Sequence, residues 1–148
     1  LFLRSLASVL VPGDSLLLGT DLIKDRSRLI AAYDDRDGVT AEFNKNVLRV
    51  LNRELQGDFS LDDFDHVARF DEAGSRIEMR LRSRGDQQVH LAALDLHVGF
   101  ASGEELLTEI STKFSPGQVR RELLAGSRTR PEEWHVGDEC SPRWLARG

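Results

Sequence analysis

Apolar residues recur at helical spacing near both ends of the chain and in one long stretch between residues 40 and 55. Between residues 64 and 114 they alternate at strand spacing instead. Leu3, Leu6, Ala7 and Leu10 form a helical stripe that Pro12-Gly13-Asp14 breaks as a turn. The run Leu16-Leu17-Leu18 then passes into Gly19-Thr20-Asp21. An apolar run ending in small and polar residues predicts a buried parallel strand whose C-terminal end opens onto a site. Asp25–Tyr33 predicts a short helix with Leu29, Ile30 and Tyr33 on one side. After the polar loop Asp34–Gly38, Thr40 is the expected N-cap of a helix running to Leu55. Its inward stripe is read as Phe43, Val47, Val50, Leu51 and Leu55, and Gly57 as its stop. Ser60 caps a short turn through Asp63, anchored by Leu61 and Phe64.

The middle third predicts an antiparallel meander. His66–Phe70 and Arg76–Arg82 read as strands around the turn Asp71–Gly74. Val89–Leu94, Asp95–Phe100 and Glu105–Phe114 continue the alternation, with Ala101-Ser102-Gly103 as a turn. Ser115 as N-cap, Pro116 at the first helical position and Gly126 as stop then frame a helix, with Val119, Leu123 and Leu124 inward. Trp134 and Trp144-Leu145 mark two closing strands. The layout is α/β at both ends, residues 1–23 and 115–148, with an α+β insertion over residues 24–114.

Composition narrows the class. At 148 residues the chain can bury roughly two-thirds of its unfolded surface in one domain. With 40% hydrophobic and 30% charged residues it reads as an ordinary soluble globular protein. The net charge is −5 and the basic residues are scattered, which gives nucleic-acid binding no support. One cysteine, Cys140, excludes an internal disulfide and a cysteine-based metal site, and fits a reducing cytoplasm. No apolar run of transmembrane length or signal peptide is present, so no membrane role is expected. His66, His90, His97 and His135 lack partners at metal-ligand spacing and read as structural or exposed; no metal is expected. The acidic loop Asp34–Asp37 lacks the spacing and closing glutamate of a calcium-binding loop. The chain starts at Leu1, and Leu1–Val11 reads as the end of a helix already under way, so we expect the C-terminal part of a longer polypeptide.

Candidate chemistry lies in Gly103–Pro116. Glu109 and Ser111 are two residues apart, so on a strand they leave the same face. A carboxylate accepts and a hydroxyl donates or accepts, so the pair could grip both nitrogens of an imidazole. The other reading is a polar strand face of Glu109, Ser111 and Lys113 in water, with Ile110 and Phe114 on a core.

Four segments carry a resemblance: PGDSLLLGTDLIKD (12–25), LIAAYDDRDGVTAEFNKNVLRVLNREL (29–55), FDHVARFDEAGSRIEMRL (64–81) and GEELLTEISTKF (103–114). They resemble the histidine-specific, S-adenosylmethionine-dependent methyltransferases of ergothioneine biosynthesis, from about residue 1 to 126. The resemblance implies the C-terminal half of a class I (Rossmann-like) methyltransferase sheet with a substrate-binding insertion between its fifth strand and the next helix. Leu16–Thr20 would be that strand and Gln118–Ala125 that helix. It implies successive methyl transfer from S-adenosylmethionine to the α-amino nitrogen of L-histidine, in a cytoplasmic enzyme that is a monomer when complete. It assigns Tyr33 to the substrate carboxylate, Glu109 and Ser111 to the imidazole, and Met79 to the pocket lining. Thr40 and Phe43 fall beside the same pocket, and no residue is assigned a catalytic acid–base role. Glu109 then serves specificity.

Bland readings stand beside these: Tyr33 as a helix-end aromatic, Met79 as core filler and Phe43 as a packing residue. The chain departs from the family pattern at Ser127, where an apolar residue is expected, and at Cys140–Arg143, which interrupts the last strand. No glycine-rich loop follows an early strand, so the main donor-binding elements are expected outside this segment and the segment alone to be inactive. The rival functions are a non-catalytic histidine or amino-acid binding module and a methyltransferase acting on another amine.

Overall fold

Asp25 explains where the first well-framed helix begins. Its carboxylate accepts from the backbone N–H of Ser27 at 2.9 Å and of Arg28 at 3.3 Å, and from the Ser27 hydroxyl. These bonds, the hydroxyl's first, hold the Asp25 carboxyl below its ordinary value. In the computed structural model, which describes residues 5–6, 8–11, 13–126, 132–134 and 143–147, the elements run in the order β1 (Ser15–Gly19), α1 (Arg26–Tyr33), α2 (Val39–Leu55), β2 (Phe64–Asp71), β3 (Arg76–Ser83), β4 (Gln87–Leu91), β5 (Leu96–Phe100), β6 (Glu105–Thr112), α3 (Pro116–Gly126), β7 (Glu132–Trp134) and β8 (Arg143–Arg147). Leu3, Ala7, Pro12, Ser127, His135 and Cys140 lie outside the described residues. The chain divides into two compact units, residues 1–23 with 112–148 and residues 24–111.

In the first unit β1 is hydrogen-bonded to β8, and β8 to β7, both pairs antiparallel. The buried parallel strand expected at Leu16 is therefore corrected: its partner among the described residues is antiparallel, and one face is open, with Leu17 61% exposed. Leu16 and Leu18 on the other face pack with Phe114 against buried Val119, Leu123 and Trp144. The Trp144 indole donates to the Thr20 hydroxyl at 3.2 Å, which satisfies its one polar atom. Leu22 bridges Phe114 in parallel, and beside it buried Lys113 pairs with Asp21 at 2.7 Å. The Ser115 hydroxyl caps α3 by accepting from the Gln118 N–H at 3.2 Å. Val119 and Leu123 point inward, whereas Leu124 is half exposed.

The second unit forms a three-stranded sheet in the order β2-β3-β6 and a separate β4–β5 ribbon. The continuous meander is thus corrected. The chain leaves the sheet after β3, makes the ribbon, and returns to β3, where Ser83 exchanges backbone bonds of 2.8 Å with Gly103 and Glu104. Asp95 takes a left-handed turn after a short helical turn at Ala92–Leu94, so those residues are not strand. The core gathers Leu48 of α2, Phe59, Phe64 of β2, Leu81 of β3, Val89 and Leu91 of β4 and Phe100 of β5. Phe64 and Phe100 meet edge to face at 5.3 Å. On the sheet's ionic side the Glu78 carboxylate is gripped by Arg80 and Arg76, which hold it below its ordinary value, while Glu105 takes Arg69 and Arg82.

Helix α2 departs from expectation at both ends. Thr40 is not its N-cap: Gly38 holds that place at φ 72°, and the Asp35 carboxylate accepts from the Val39 and Thr40 N–H groups at 2.9 and 2.8 Å. A bond from the Thr40 side chain, then these two, lowers the Asp35 carboxyl to about 2. At the far end Gln56, not Gly57, takes the left-handed position at φ 51°. Gly57 is required for another reason, because a Cβ there would lie 2.8 Å from the Leu91 side chain and 3.0 Å from the Asn52 carboxamide oxygen.

Two outcomes follow for the full-length protein. Gly57→Ala forces overpacking against Leu91 and destabilises by about 1–3 kcal/mol, read as a lower denaturant midpoint. Asp35 is depressed in the folded state, so its contribution is whole above its ordinary 3.8 and fades as pH falls through about 2. Comparing Asp35→Ala with wild type by thermal melting should show a gap above about pH 4 that narrows toward pH 2.

Candidate functional site

Tyr33 is the last residue of α1, so its carbonyl has no intrahelical partner and must be bonded from elsewhere in the fold. The Tyr33 ring packs on a small buried cluster of Leu29, Ile77 and Met79, flanked by Ile30 and Phe70. Its hydroxyl lies 2.8 Å from the Ser111 hydroxyl on β6. Three of the residues singled out in the sequence, Tyr33, Ser111 and Met79, are therefore gathered by α1, β3 and β6. Met79 is 3% exposed and a member of that buried cluster, which is what its reading as core filler expects.

The remaining three stand differently. Glu109 is exposed on β6, and among the described residues its carboxylate has no hydrogen-bond or ion-pair partner. Thr40 is half buried and engaged with Asp35. Phe43 is 65% exposed, which corrects its place on the inward stripe of α2. The helix is rotated from the expected setting. Asn44 and Leu48 are its buried residues, Leu51 and Leu55 pack on the core, and Val39, Phe43 and Val47 form an open apolar line.

That rotation brings in residues that sequence reasoning missed. Buried Asn44 places its amide nitrogen 2.9 Å from Nδ1 of His66 and 3.1 Å from the Arg80 carbonyl. The Thr108 hydroxyl lies 2.5 Å from the Asn44 carboxamide oxygen and 2.8 Å from the Met79 carbonyl. His66 Nε2 completes the path at 2.8 Å from the Tyr33 carbonyl. One signal was available: Asn44, Leu48, Leu51 and Leu55 follow the i, i+4, i+7, i+11 helical face more closely than the stripe starting at Phe43. The roles of His66 and Thr108 leave no local trace. His90 and His97 stack across the β4–β5 ribbon at 4.1 Å, and no group of three metal-ligating side chains occurs among the described residues. No helix among them is long and apolar enough to cross a membrane.

Comparison with known proteins gives this arrangement its context. The family model for histidine-specific, SAM-dependent methyltransferases matches residues 1–144. The chain belongs to that family. It is 59% identical over 133 residues to a histidine N-alpha-methyltransferase of Mycobacterium tuberculosis and 58% identical to one of Mycolicibacterium smegmatis, covering 90% of this chain. A more distant relative, ergothioneine biosynthesis protein 1 of Neurospora crassa, is 29% identical over 150 residues. The chain spans 41% of the length of each bacterial relative and 16% of the fungal one. This member of the histidine-specific methyltransferase family thus carries Tyr33, Met79, Glu109 and Ser111 within one compact unit, residues 24–111.

The Tyr33–Ser111 bond is partly buried, so its removal has a small expected cost. Tyr33→Phe in the full-length protein should lower stability by about 0.5–1.5 kcal/mol by chemical denaturation, because Ser111 keeps some access to water.

Proposed function

We propose that the protein containing this chain transfers methyl groups from S-adenosylmethionine to the α-amino nitrogen of L-histidine, giving trimethylhistidine for ergothioneine biosynthesis. The observation that carries this reading is the 59% identity to a histidine N-alpha-methyltransferase across 90% of the chain. Residues 24–114 form the substrate-binding insertion, and residues 1–23 and 115–148 belong to a class I methyltransferase sheet. Support for that division comes from the two compact units, whose boundaries fall after Ile23 and after Ser111. The methyl donor is held mainly by residues outside this segment, and the segment alone is inactive.

Within the insertion, Tyr33 holds the substrate carboxylate, Glu109 and Ser111 take the imidazole nitrogens, and Met79 lines the ring's apolar side. Thr40 and Phe43 border the pocket. The exposed Glu109 carboxylate supports this reading, since no described residue uses its acceptors. Methyl transfer from a sulfonium is an in-line displacement by a neutral amine. Alignment supplies most of its acceleration, and a strong base is not needed. Two polar contacts to the ring would select histidine over aliphatic or phenyl side chains, because a wrong ligand that covers Glu109 and Ser111 removes them from water without pairing them.

Assay of the full-length protein with histidine and a panel of other amino acids tests this. The expected result is trimethylhistidine from wild type and a loss of about tenfold or more in histidine kcat/KM for Glu109→Ala, with discrimination against other amino acids reduced. Unchanged selectivity in Glu109→Ala would remove that residue from the reading, and methylation of a different amine by wild type would replace histidine as the substrate.

A further inference from the structure

The bonds around His66 leave its ring only one protonation state. The Tyr33 carbonyl can only accept, so Nε2 carries a hydrogen. The group 2.9 Å from Nδ1 is the Asn44 amide nitrogen, which can only donate, so Nδ1 is bare. The orientation of that amide is set by the Arg80 carbonyl, to which its nitrogen also donates. Its oxygen faces the Thr108 hydroxyl, which also lies beside the Met79 carbonyl and has one proton between the two acceptors. Turning the amide over would set its oxygen against the Arg80 carbonyl oxygen.

We propose that His66, held as the neutral Nε2–H tautomer, is a positioning residue for the histidine pocket. It acts through Tyr33. The helix α1 ends at Tyr33, and the His66 ring donates to the carbonyl that the helix itself does not bond. The same tyrosine places its hydroxyl on Ser111, three residues along β6 from Thr108, where the path through Asn44 begins. The backbone of Tyr33 is thus tied to β2 and its side chain to β6, so the hydroxyl has a fixed height over the pocket floor at Met79. A ring in the other tautomer would turn its N–H on the Asn44 amide and lose the donor to the Tyr33 carbonyl, whereas a protonated ring would keep that donor but oppose a second N–H to the Asn44 amide. The inference rests on the pocket reading given above and extends it to a residue that need not touch the substrate.

Substitutions that keep one half of the ring's bonding test it in the full-length protein. His66→Gln can still reach the Tyr33 carbonyl with an amide N–H, whereas the shorter His66→Asn presents an acceptor to Asn44 and removes the ring's donor from that carbonyl. With saturating S-adenosylmethionine, His66→Asn should raise KM for histidine by about tenfold with kcat within about threefold, while His66→Gln stays within about threefold of wild type in both. Melting temperatures of the two variants should be similar, so that the KM difference cannot follow stability. A wild-type KM in His66→Asn, or equal KM losses in both variants, would overturn the positioning role. Nitrogen-15 spectra of the full-length protein supply a readout without turnover: the Nε2–H form is expected, and an Nδ1–H or charged ring refutes the assignment. If wild type itself methylates no histidine, the pocket reading fails and the positioning role falls with it; a histidine-active wild type with an indifferent His66 fails the inference alone.

Discussion

The buried amide of Asn44 is the constraint on which much of the second unit depends. At 3% exposure it cannot fall back on water, and each polar partner left unmatched costs about 1–3 kcal/mol. Its partners come from three strands: His66 on β2, the Arg80 carbonyl on β3 and Thr108 on β6. Only one rotation of α2 meets all of them. That rotation sends Leu48 into the aromatic core and leaves Val39, Phe43 and Val47 on the open side. The packing of the helix is therefore set by a polar group as much as by its apolar stripe.

Local chemistry in the sequence was a good guide where a bond is made within a few residues. Asp25 and Ser115 begin helices as their side chains suggest, the β2–β3 hairpin is where alternation placed it, and strands occur at Trp134 and Trp144 as those residues marked. It failed where a distant partner decides. At Thr40 it failed locally as well, because the Asp35 carboxylate takes two backbone N–H groups at once and the N-cap moves to Gly38. Gln56 accepts the left-handed position because Gly57 is needed for its missing side chain against Leu91. Sheet order was equally illegible, since alternation gives a strand's faces without naming its neighbour. The candidate site divides the same way. Tyr33, Met79, Glu109 and Ser111 entered through family resemblance, whereas the Asn44–His66–Thr108 path spans 64 positions and has no motif.

The two compact units place different demands on their residues. In residues 1–23 and 112–148 the polar side chains Thr20, Asp21 and Lys113 are engaged with one another's neighbours close to a Trp144-centred core. In residues 24–111 the polar groups form two systems separated by the sheet: an ionic ladder of Arg76, Arg80, Arg82, Glu78 and Glu105, and the neutral network under the helices. On the ionic side partly exposed arginines enclose the buried Glu78 carboxylate, so its charge is matched by paired guanidinium groups. The neutral side, which holds Met79 and Tyr33, suits a ligand recognised by directed hydrogen bonds in a site of low polarity.

The paired hydroxyls of Tyr33 and Ser111 have a consequence of their own. They bring two protons to the 2.8 Å contact, and the contact itself uses one. Only one O–H of the pair can then point elsewhere. If Tyr33 gives its proton to an anionic group, Ser111 must give its own to Tyr33 and offers only a lone pair to whatever lies beyond. If Ser111 gives its proton outward, Tyr33 can no longer serve an anion. In the proposed pocket the two ends of the pair would be read together, so the charge borne by one part of the substrate would set the hydrogen-bonding sense available to another.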